Sequence, residues 1–453
     1  MKIQFLGATG TVTGSKYLVT CDRGRILLDC GLFQGYKHQR LMNRDSLPFD
    51  LASLDAVVLT HAHLDHSGYL PLLVKKGYTG KIYCSSATFD LCKILLPDSG
   101  HLLEEEAIHA NRHGYSRHAP ALPLYSEADA VRALNYFVPV DFDEAVTVAK
   151  GVTATFLRAG HILGAASVIV RGDGKTLTFS GDLGRPNDPI LAPPSIIEQT
   201  DYLVLESTYG NKRHDPADPE LLLGQTIRET AARGGVTIIP AFAVGRAQEL
   251  MYYIGQLKER GAIPPVLPVY LNSPMAVDAT AIYRKHMHDH KLTRVQCEAM
   301  CHAATVVNSV EESIALNEKR MPMVIIAASG MATGGRVLHH LKAFAWDPRN
   351  TVLFAGFQAG GTRGAAMLGG VDAIKIHGEY IPLRAHVAQI GNLSAHADRE
   401  EIIGWLGHFK KAPQHTFITH GEPEAADALR HRIEEELGWT CSVPQYKDAV
   451  ELA

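Results

Sequence analysis

Short apolar runs, bounded by glycine and polar turns, dominate the first part of this chain. Three of them, Lys2–Gly7, Lys16–Cys21 and Arg25–Asp29, have the length and composition of strands. A fourth run, Leu54–Thr60, has the character of a buried strand and is followed by helix-like apolar spacing over Ser67–Lys76. The pattern predicts strands that lead directly into helices, as in an α/β protein.

From about residue 236 the apolar pattern becomes a regular alternation of strand-like and helix-like segments. The predicted strands are Val236–Pro240, Val266–Leu271, Met323–Ala328 and Thr351–Phe357. The helices predicted to follow them are Ala247–Arg260, Met275–His286, Arg336–Phe344 and Arg363–Leu368. Repeated βα units imply a parallel sheet with a core of its own, so this region is expected to form a separate domain.

Composition sets the broad class of protein. The chain has 453 residues, of which 46% are hydrophobic and 20% charged, as in ordinary globular proteins. No apolar run approaches the roughly 18 residues of a membrane helix, so no membrane association is expected. The seven cysteines are scattered without a Cys-x-x-Cys pair, which indicates reduced thiols and a cytoplasmic location. With a net charge of −4, a nucleic-acid partner would need a local basic groove.

The most informative stretch is His61-Ala-His63-Leu-Asp65-His66, directly after the strand-like run Leu54–Thr60. A single histidine is usually structural, but three histidines and one aspartate within six residues are not explained that way. Imidazole nitrogen and carboxylate oxygen are the usual ligands of catalytic zinc. A strand end is also where α/β sheets hold their sites. The stretch therefore predicts a metal site.

Other candidate ligands occur in the same context. His161 follows the strand-like run Val152–Leu157, and Asp182 ends the run Leu177–Asp182. Near the C-terminus, His396 and His420 each lie in a predicted strand-to-helix turn. Each would be a weak signal alone, but their shared context predicts that they join the same site.

Glycine-rich turns in the second domain are candidates for contact with phosphate. Glycine allows a ligand to approach the backbone closely, and a helix N-terminus offers unpaired N–H donors. The alternative, that these are only tight turns, stays open. The residues predicted to contact phosphate are Arg246, Ser329, Gly330, Thr333, Gly334, Gly335 and Arg363.

Three further patterns receive structural interpretations. The loop Thr9–Ser15 resembles a phosphate loop but lacks the Lys-Ser/Thr ending and a following helix, so it is discounted. Residues Asp98–His109 are interpreted as a solvated amphipathic helix and not as a metal site. His286, His288 and His290 are expected to be exposed, because alternate spacing does not converge side chains on one point.

The segments Tyr202–Gly210, Ser394–His396 and Thr419–Gly421 resemble motifs A, B and C of the β-CASP nucleases. These enzymes form a branch of the metallo-β-lactamase superfamily, whose general motifs match Ile26–Gly31 and the histidine and aspartate positions above. The resemblance covers nearly the whole chain. It implies an α/β fold, a metallo-β-lactamase αββα sandwich with an inserted β-CASP domain built on a mainly parallel sheet. The implied boundaries are 1–208 for the first part of the sandwich, 209–385 for the insertion and 386–453 for the remainder.

The resemblance also implies roles for individual residues. One zinc ion would be held by His61, His63 and His161, and a second by Asp65, His66 and His420. Asp182 would bridge the two ions, Asp29 would support the site, and Asp65 would also orient the attacking water. Glu206 would pair with His396, which would act as general acid. The implied activity is hydrolysis of single-stranded RNA by a two-metal mechanism that leaves 5′-phosphate and 3′-hydroxyl ends.

Two other functions are compatible with parts of the sequence. A small-molecule metallohydrolase, such as a thioesterase or lactonase, would explain residues 61–182 but not the insertion, Glu206 or His396. A non-catalytic RNA-binding scaffold would require lost ligands, and every expected position is filled. The sequence does not decide between internal and 5′-end cleavage, nor whether the chain forms a homodimer.

Overall fold

The structure, a computed structural model, describes residues 1–114 and 119–453. It divides into two compact units, one of residues 1–213 and 396–453 and the other of residues 214–395. The sequence suggested a second boundary after residue 385. Strand His386–Ile390 instead pairs in parallel with Thr351–Ala355 of the second unit. That hydrogen-bonded ladder assigns the strand to the inserted unit.

The N-terminal segment of the first unit supplies most of its elements. Its strands are β1 (Lys2–Phe5), β2 (Tyr17–Thr20), β3 (Arg25–Leu28), β4 (Ala56–Val58), β5 (Lys81–Ser85), β6 (Phe137–Val140), β7 (Ala145–Ala149), β8 (Val152–Arg158), β9 (Ala166–Gly172), β10 (Lys175–Phe179) and β11 (Tyr202–Glu206). Its helices are α1 (Lys37–Met42), α2 (Leu64–Ser67), α3 (Leu70–Lys75), α4 (Ser86–His113) and α5 (Glu127–Ala133).

The second unit alternates helices and strands. Its strands are β12 (Val236–Pro240), β13 (Val269–Asn272), β14 (Thr305–Val306), β15 (Met323–Ala327), β16 (Thr351–Ala355), β17 (Ala373–Ile376), β18 (Glu379–Pro382) and β19 (His386–Ile390). Its helices are α6 (Pro219–Ala232), α7 (Arg246–Glu259), α8 (Pro274–Lys285), α9 (Arg294–Cys301), α10 (Val310–Glu318), α11 (Val337–Phe344) and α12 (Arg363–Leu368). The chain then returns to the first unit with α13 (Arg399–Leu406), β20 (His415–Thr419), α14 (Pro423–Leu437), β21 (Cys441–Ser442) and β22 (Ala449–Glu451).

Two mixed sheets form the first unit, with strand orders β22-β1-β2-β3-β4-β5-β6 and β21-β20-β11-β10-β9-β8-β7. Strand β11 shows how they pack, because successive side chains point to opposite faces. Tyr202 and Val204 enter the core shared with Phe5 of the facing sheet. Leu203 and Leu205 enter a second core formed with α13 and α14. Helix α4 contacts β5 and β6 of the other sheet. These layers confirm the predicted αββα sandwich.

The second unit is built on a six-stranded sheet with the order β14-β13-β15-β12-β16-β19. All of its ladders are parallel. Every residue of β12, β15 and β16 is buried, as expected for parallel strands covered on both faces. The predicted βα alternation and the mainly parallel sheet are confirmed.

Two other sequence expectations have mixed outcomes. The helix predicted over Asp98–His109 lies within the longer helix α4, and the helix prediction is confirmed. The expectation that His290 is exposed is wrong. Its ring stacks on Tyr283 at a centroid distance of 5.7 Å, and its Nε2 lies 3.0 Å from the Tyr283 carbonyl oxygen. The turn after α8 folds this histidine back onto the helix, a contact that spacing alone does not reveal.

In the described part of the chain, no helix combines the length and apolar character needed to cross a membrane. All seven cysteines are free thiols. Burial raises the pKa of Cys92 and Cys84, so these thiols stay protonated and unreactive.

Lys16 is a buried cation directly before β2, with an exposed fraction of 2%. Its ammonium donates to the Gly31 carbonyl and lies 4.7 Å from the ring centres of both Phe33 and Tyr69. Among the described residues no carboxylate forms a salt bridge with it. Burial lowers the pKa of Lys16 to about 8, because these contacts only partly replace its hydration.

We therefore predict that Lys16→Met has a pH-dependent effect on stability. Between about pH 8 and pH 10.5 the unfolded chain binds more protons at Lys16 than the folded chain does, so the wild-type protein gains stability as pH rises. The free energy of unfolding of Lys16→Met minus that of the wild-type protein should therefore fall by about 3 kcal/mol across that window. Tm measured against pH tests this, with Lys81→Met at an exposed strand position as the matched control. A difference between variant and wild type that stays constant or grows as pH rises would contradict this prediction.

Candidate metal centre

The candidate ligands of the first unit lie where neighbouring strands end. His61 and His63 follow β4, and Asp65 and His66 lie on the short helix α2 that begins immediately afterwards. The other members follow strands of the second sheet: His161 after β8, Asp182 after β10 and His420 after β20. The two sheets therefore bring ligands that are far apart in sequence to one edge of the sandwich.

The first donor group contains His61, His63, His161 and Asp182, whose ligand atoms all lie within 4.8 Å of one another. His63 Nδ1 lies 3.2 Å from His61 Nε2 and 3.1 Å from His161 Nε2. Asp182 Oδ2 lies 3.5 Å from His61 Nε2 and 3.6 Å from His161 Nε2. The four atoms thus face a common point.

The second donor group contains Asp65, His66, Asp182 and His420. The Nε2 atoms of His66 and His420 are 3.1 Å apart, and Asp65 Oδ2 lies 3.6 Å and 3.4 Å from them. Asp182 contributes its other oxygen here, since Oδ1 lies 3.3 Å from His66 Nε2. One carboxylate therefore faces both groups, with one oxygen toward each.

These separations fit a metal ion. Four nitrogen and oxygen ligands about 2.0–2.1 Å from zinc in a tetrahedron would lie roughly 3.3 Å from one another, close to the distances in both groups. In addition, Oδ1 of Asp182 is buried and accepts no hydrogen bond from any residue that the structure describes. A buried carboxylate oxygen rarely lacks a donor, and a metal ion would satisfy it. Residues of both groups are suited to hold metal.

Asp29 orients one histidine of each donor group. Its Oδ2 lies 2.7 Å from His66 Nδ1 and accepts a 2.9 Å hydrogen bond from the Thr60 hydroxyl. The Thr60 oxygen lies 3.1 Å from His61 Nδ1. With the Nδ1 atoms protonated and donating to these oxygens, the Nε2 lone pairs of both histidines face their donor groups. Such outer hydrogen bonds fix the tautomer of metal-binding histidines.

His420 is held by a threonine in the same way. Its Nδ1 lies 3.1 Å from Thr208 Oγ1, and that hydroxyl donates to the His420 carbonyl oxygen at 3.2 Å. His420 has a φ of 49°, a left-handed conformation that is costly for a residue with a side chain. Its N–H donates to the Ala8 carbonyl at 2.7 Å, which helps to hold that conformation.

The electrostatics of the metal-free site favour the neutral forms of His61 and His63 in the first group. Burial lowers the pKa of His63 to about 4 and that of His61 well below its usual range. Burial also acts on His66, but the carboxylates of Asp182 and Asp29 outweigh it and raise the pKa of His66. Asp182 shows the converse: burial opposes its charged form, yet the surrounding histidines hold its pKa well below the usual range.

Glu206 and His396 form a pair beside the first donor group. His396 Nδ1 lies 3.1 Å from Glu206 Oε1, which also accepts a 2.7 Å hydrogen bond from the Leu183 N–H. Glu206 Oε2 accepts from the Thr208 N–H at 3.1 Å. Burial lowers the pKa of His396, but the Glu206 carboxylate outweighs burial and raises it. Glu206, Asp182 and His396 are close enough to hold an ion. The donors already bound to Glu206 favour a hydrogen-bonding role for it.

The glycine-rich turns of the second unit lie together at the carboxyl ends of β12, β15 and β16. A Cβ added to Gly330 would lie 2.7 Å from the Phe242 ring. The Gln358 side chain donates to the Gly330 carbonyl oxygen at 3.2 Å, and the Gly364 N–H donates to Met331 at 3.1 Å. The three turns form one connected surface within this unit.

The candidate phosphate-binding residues in these turns have protein partners. Arg246 is buried and paired with Glu249. Arg363 donates to the carbonyl oxygens of Lys375 at 2.7 Å and of Ala332 and Thr333 at 3.1 Å each. The remaining candidates belong to the turn after β15, where Ser329 Oγ accepts from the N–H groups of Thr333 and Gly334, and Gly335 has a φ of 72°. The RNA-contact role of these residues stays a prediction.

Sequence reasoning missed Thr60 and Thr208 as members of the site. Both are close to motif residues in the sequence. Thr60 directly precedes His61, and Thr208 lies two residues after Glu206. A threonine beside a ligand at a strand end was the available signal. Its meaning depends on which imidazole nitrogen faces the hydroxyl, and that requires coordinates.

Fold and site together define a metallo-β-lactamase-type hydrolase with an inserted domain. Comparison with known families agrees. Residues 9–231 match the metallo-beta-lactamase superfamily, residues 247–367 the Beta-Casp domain, and residues 380–444 the Zn-dependent metallo-hydrolase RNA specificity domain. The chain belongs to the β-CASP ribonuclease family of this superfamily, as its motifs predicted, and is a metal-dependent enzyme.

Individual relatives cover almost the full chain. It is 37% identical to Ribonuclease TTHA0252 of Thermus thermophilus, over 95% of each chain. It is 33% identical to transcription termination factor FttA of Methanosarcina mazei, over 96% of this chain and 69% of the relative. An RNase J-like protein of Methanocaldococcus jannaschii is 31% identical over 93% and 92%. A solved structure, a protein of unknown function from Enterococcus faecalis, shares the fold with a TM-score of 0.54 at 13% identity, over 99% of each chain.

The Asp29–Thr60–His61 contacts predict that Thr60→Val weakens metal binding without unfolding the protein. Loss of an outer hydrogen bond of this kind typically reduces metal affinity about 10- to 100-fold. Titration with a competing chelator measures the affinity. The matched control is Thr178→Val, because Thr178 is buried on β10 and its hydroxyl bonds to Thr200 at 2.9 Å. Equal metal affinities of the two variants would show that Thr60 does not support metal binding.

Proposed function

We propose that this chain is a zinc-dependent ribonuclease that hydrolyses phosphodiester bonds of single-stranded RNA, giving 5′-phosphate and 3′-hydroxyl ends. The observation that carries the proposal is the pair of donor groups that share Asp182, with the Glu206–His396 pair beside them. The curated name of the relative from Thermus thermophilus, a ribonuclease, supports RNA as substrate. The free thiols are consistent with a cytoplasmic location.

The two donor groups would each hold one zinc ion. His61, His63 and His161 would bind the first, Asp65, His66 and His420 the second, and Asp182 would contribute one oxygen to each. When bound, the two ions would supply a hydroxide nucleophile at neutral pH and stabilise charge on the scissile phosphate. Asp65 would also orient the attacking water through its carboxylate. Asp29, Thr60 and Thr208 would keep the histidine rings in the ligating tautomer.

His396 would protonate the leaving 3′ oxygen. Its Nδ1 is engaged with Glu206, so the transferred proton comes from Nε2. The Glu206 carboxylate favours the protonated imidazole and fixes the orientation of its ring. Water attack at phosphorus then leaves the phosphate on the downstream product and the hydroxyl on the upstream one. The 2′-hydroxyl has no part in this reaction.

The connected turns of the second unit would bind the RNA backbone. Their N–H groups and the residues Arg246, Ser329, Gly330, Thr333, Gly334, Gly335 and Arg363 are the proposed contacts. Arg246 and Arg363 also have acceptors within the protein. We therefore assign them two roles, to stabilise the turns and to contact the RNA backbone. Contacts of this kind position RNA without selecting its sequence.

The metal assignment predicts two zinc ions per chain. Replacing His63 by alanine should release the first ion, and replacing Asp182 by alanine should weaken both, because its two oxygens face different groups. Elemental analysis of purified protein gives the stoichiometry. His288→Ala, at an exposed histidine outside the site, is the matched control.

The same preparations test the substrate. Zinc-loaded protein should cleave 5′-labelled and circular single-stranded RNA and leave 5′-phosphate ends, and both ion-deficient variants should lose this activity. One metal ion or none in active protein would overturn the two-metal proposal. Intact RNA after incubation with the two-zinc protein would overturn the ribonuclease proposal.

The roles of His396 and His420 predict different losses. His420→Ala should lower the zinc content, whereas His396→Ala should retain both ions. Loss of a general acid costs about 10²–10⁴-fold in rate, since the alkoxide leaving group of RNA needs a proton. A nitrophenolate leaving group does not, so His396→Ala should stay active on bis-nitrophenyl phosphate.

Glu206→Gln should show a milder version of the same difference, because its amide can still orient the imidazole. Zinc content, RNA cleavage and nitrophenolate release are measured on the same preparations. If His396→Ala lost zinc, or slowed both substrates by one factor, His396 would not be the acid.

A further inference from the structure

The loop between β1 and β2, discounted as a phosphate loop from its sequence, lies against the second donor group. At its start, the Ala8 carbonyl oxygen accepts a 2.7 Å hydrogen bond from the N–H of His420. At its end, the Ser15 N–H donates to the carbonyl oxygen of Asp65 at 2.8 Å. Both tethers run to members of the same donor group. The position of the loop is thus fixed relative to the candidate metal site.

A series of N–H groups in the loop has no acceptor in the part of the chain that the structure describes. Among the described residues, the N–H groups from Thr9 to Gly14 make no hydrogen bond. Thr11 and Thr13 are 9% and 6% exposed, and nearly all buried N–H groups in proteins are paired. The two threonine hydroxyls lie 3.3 Å from each other, and Thr13 Oγ1 accepts from the Gln34 N–H at 3.2 Å. Those hydroxyls therefore do not satisfy the loop's amides.

The backbone conformation is one that gathers amides around an anion. Ala8 and Gly10 have φ values of 51° and 63°, and Gly14 follows with 77°. Left-handed residues placed between others turn successive N–H groups toward one concavity, which binds anions through backbone dipoles. No charged side chain occurs between residues 8 and 15, and the Lys16 ammonium is committed to Gly31. Backbone amides are the donors that this loop offers.

We propose that this loop binds a phosphate of the RNA next to the one being cleaved. The proposal rests on the ribonuclease function proposed above and extends it to a binding subsite on the first unit. Both ends of the loop are hydrogen-bonded to members of the second donor group, and RNA carries further phosphates on either side of the one that would lie there. Backbone amides recognise phosphate without reading bases. The subsite would hold the strand in place while leaving its sequence unselected.

Removal of one amide tests the subsite. Val12→Pro lacks the N–H, whereas Val12→Ala retains it while removing the two γ-methyl groups. The difference between these variants is the readout. KM for single-stranded RNA should be roughly 10- to 100-fold higher for Val12→Pro, the range expected for one hydrogen bond to a charged group. The ratio of kcat/KM for RNA to that for bis-nitrophenyl phosphate should fall accordingly, with zinc content equal in both variants.

A second variant, without proline, tests the loop independently of any misfolding that Val12→Pro causes. Gly10→Ala adds a Cβ that meets only Pro423 Cγ, at 3.7 Å, so it fits the space but disfavours the left-handed φ that turns the amides inward. It should raise KM for RNA in the same direction as Val12→Pro does.

The bound phosphate is identified with RNA substrates that carry one neutral methylphosphonate. Replacing the phosphate held by the loop should raise KM for the Val12→Ala protein but change KM little for Val12→Pro, because the interaction is already lost. Additive effects of the two changes at every flanking position would overturn the subsite. Unchanged RNA binding by both loop variants would overturn it too. Failure of the wild-type protein to cleave RNA would instead refute the proposed function.

Discussion

The geometry of the candidate site depends on the hydrogen bonds of the Asp29 carboxylate. This carboxylate accepts the Thr60 N–H at 2.7 Å on one oxygen, and on the other it receives the Thr60 hydroxyl and faces His66. The two histidines directed by these contacts, His61 and His66, belong to different donor groups. Asp29 therefore contacts one histidine of the second donor group directly and one of the first through the Thr60 hydroxyl. Asp29 itself has a φ of 55°, a conformation that costs on the order of 1–3 kcal/mol for a residue with a side chain.

Hydrogen bonds to the neighbouring strand end offset the conformational cost at Asp29. The Asp29 N–H donates to Val58 at the end of β4, which leads into the histidine segment. Buried imidazoles and carboxylates at this density are costly to leave without partners. The pKa of His61 is lowered by burial, whereas the carboxylates beside His66 raise the pKa of that histidine. Metal binding and folding of this edge should therefore be coupled.

Most of the fold was predictable because its signals are local. Buried runs such as Val236–Pro240 predict a parallel strand from composition and length alone, and the helices after them follow from apolar spacing. The position of β19 was not predictable, because its partner β16 is selected by tertiary packing. In the candidate site, the histidine and aspartate residues stood out by type and spacing. Thr60 did not stand out, and the loop Thr9–Ser15 was discounted, because the contacts of a hydroxyl or a backbone amide depend on tertiary structure.

Asp182 and Glu206 show how two buried carboxylates at neighbouring strand ends acquire different chemistry. Within the described part of the chain, Asp182 Oδ1 accepts no hydrogen bond, and it faces nitrogens of the second donor group, so its lone pairs are available to a cation. Glu206 accepts N–H groups from Leu183 and Thr208 and pairs with His396, which occupies the directions that a metal would need. The backbone N–H groups of Leu183, after β10, and Thr208, after β11, thus commit Glu206 to hydrogen bonding. Because Glu206 holds Nδ1 of His396, the imidazole lies beside the two candidate donor groups without belonging to either of them.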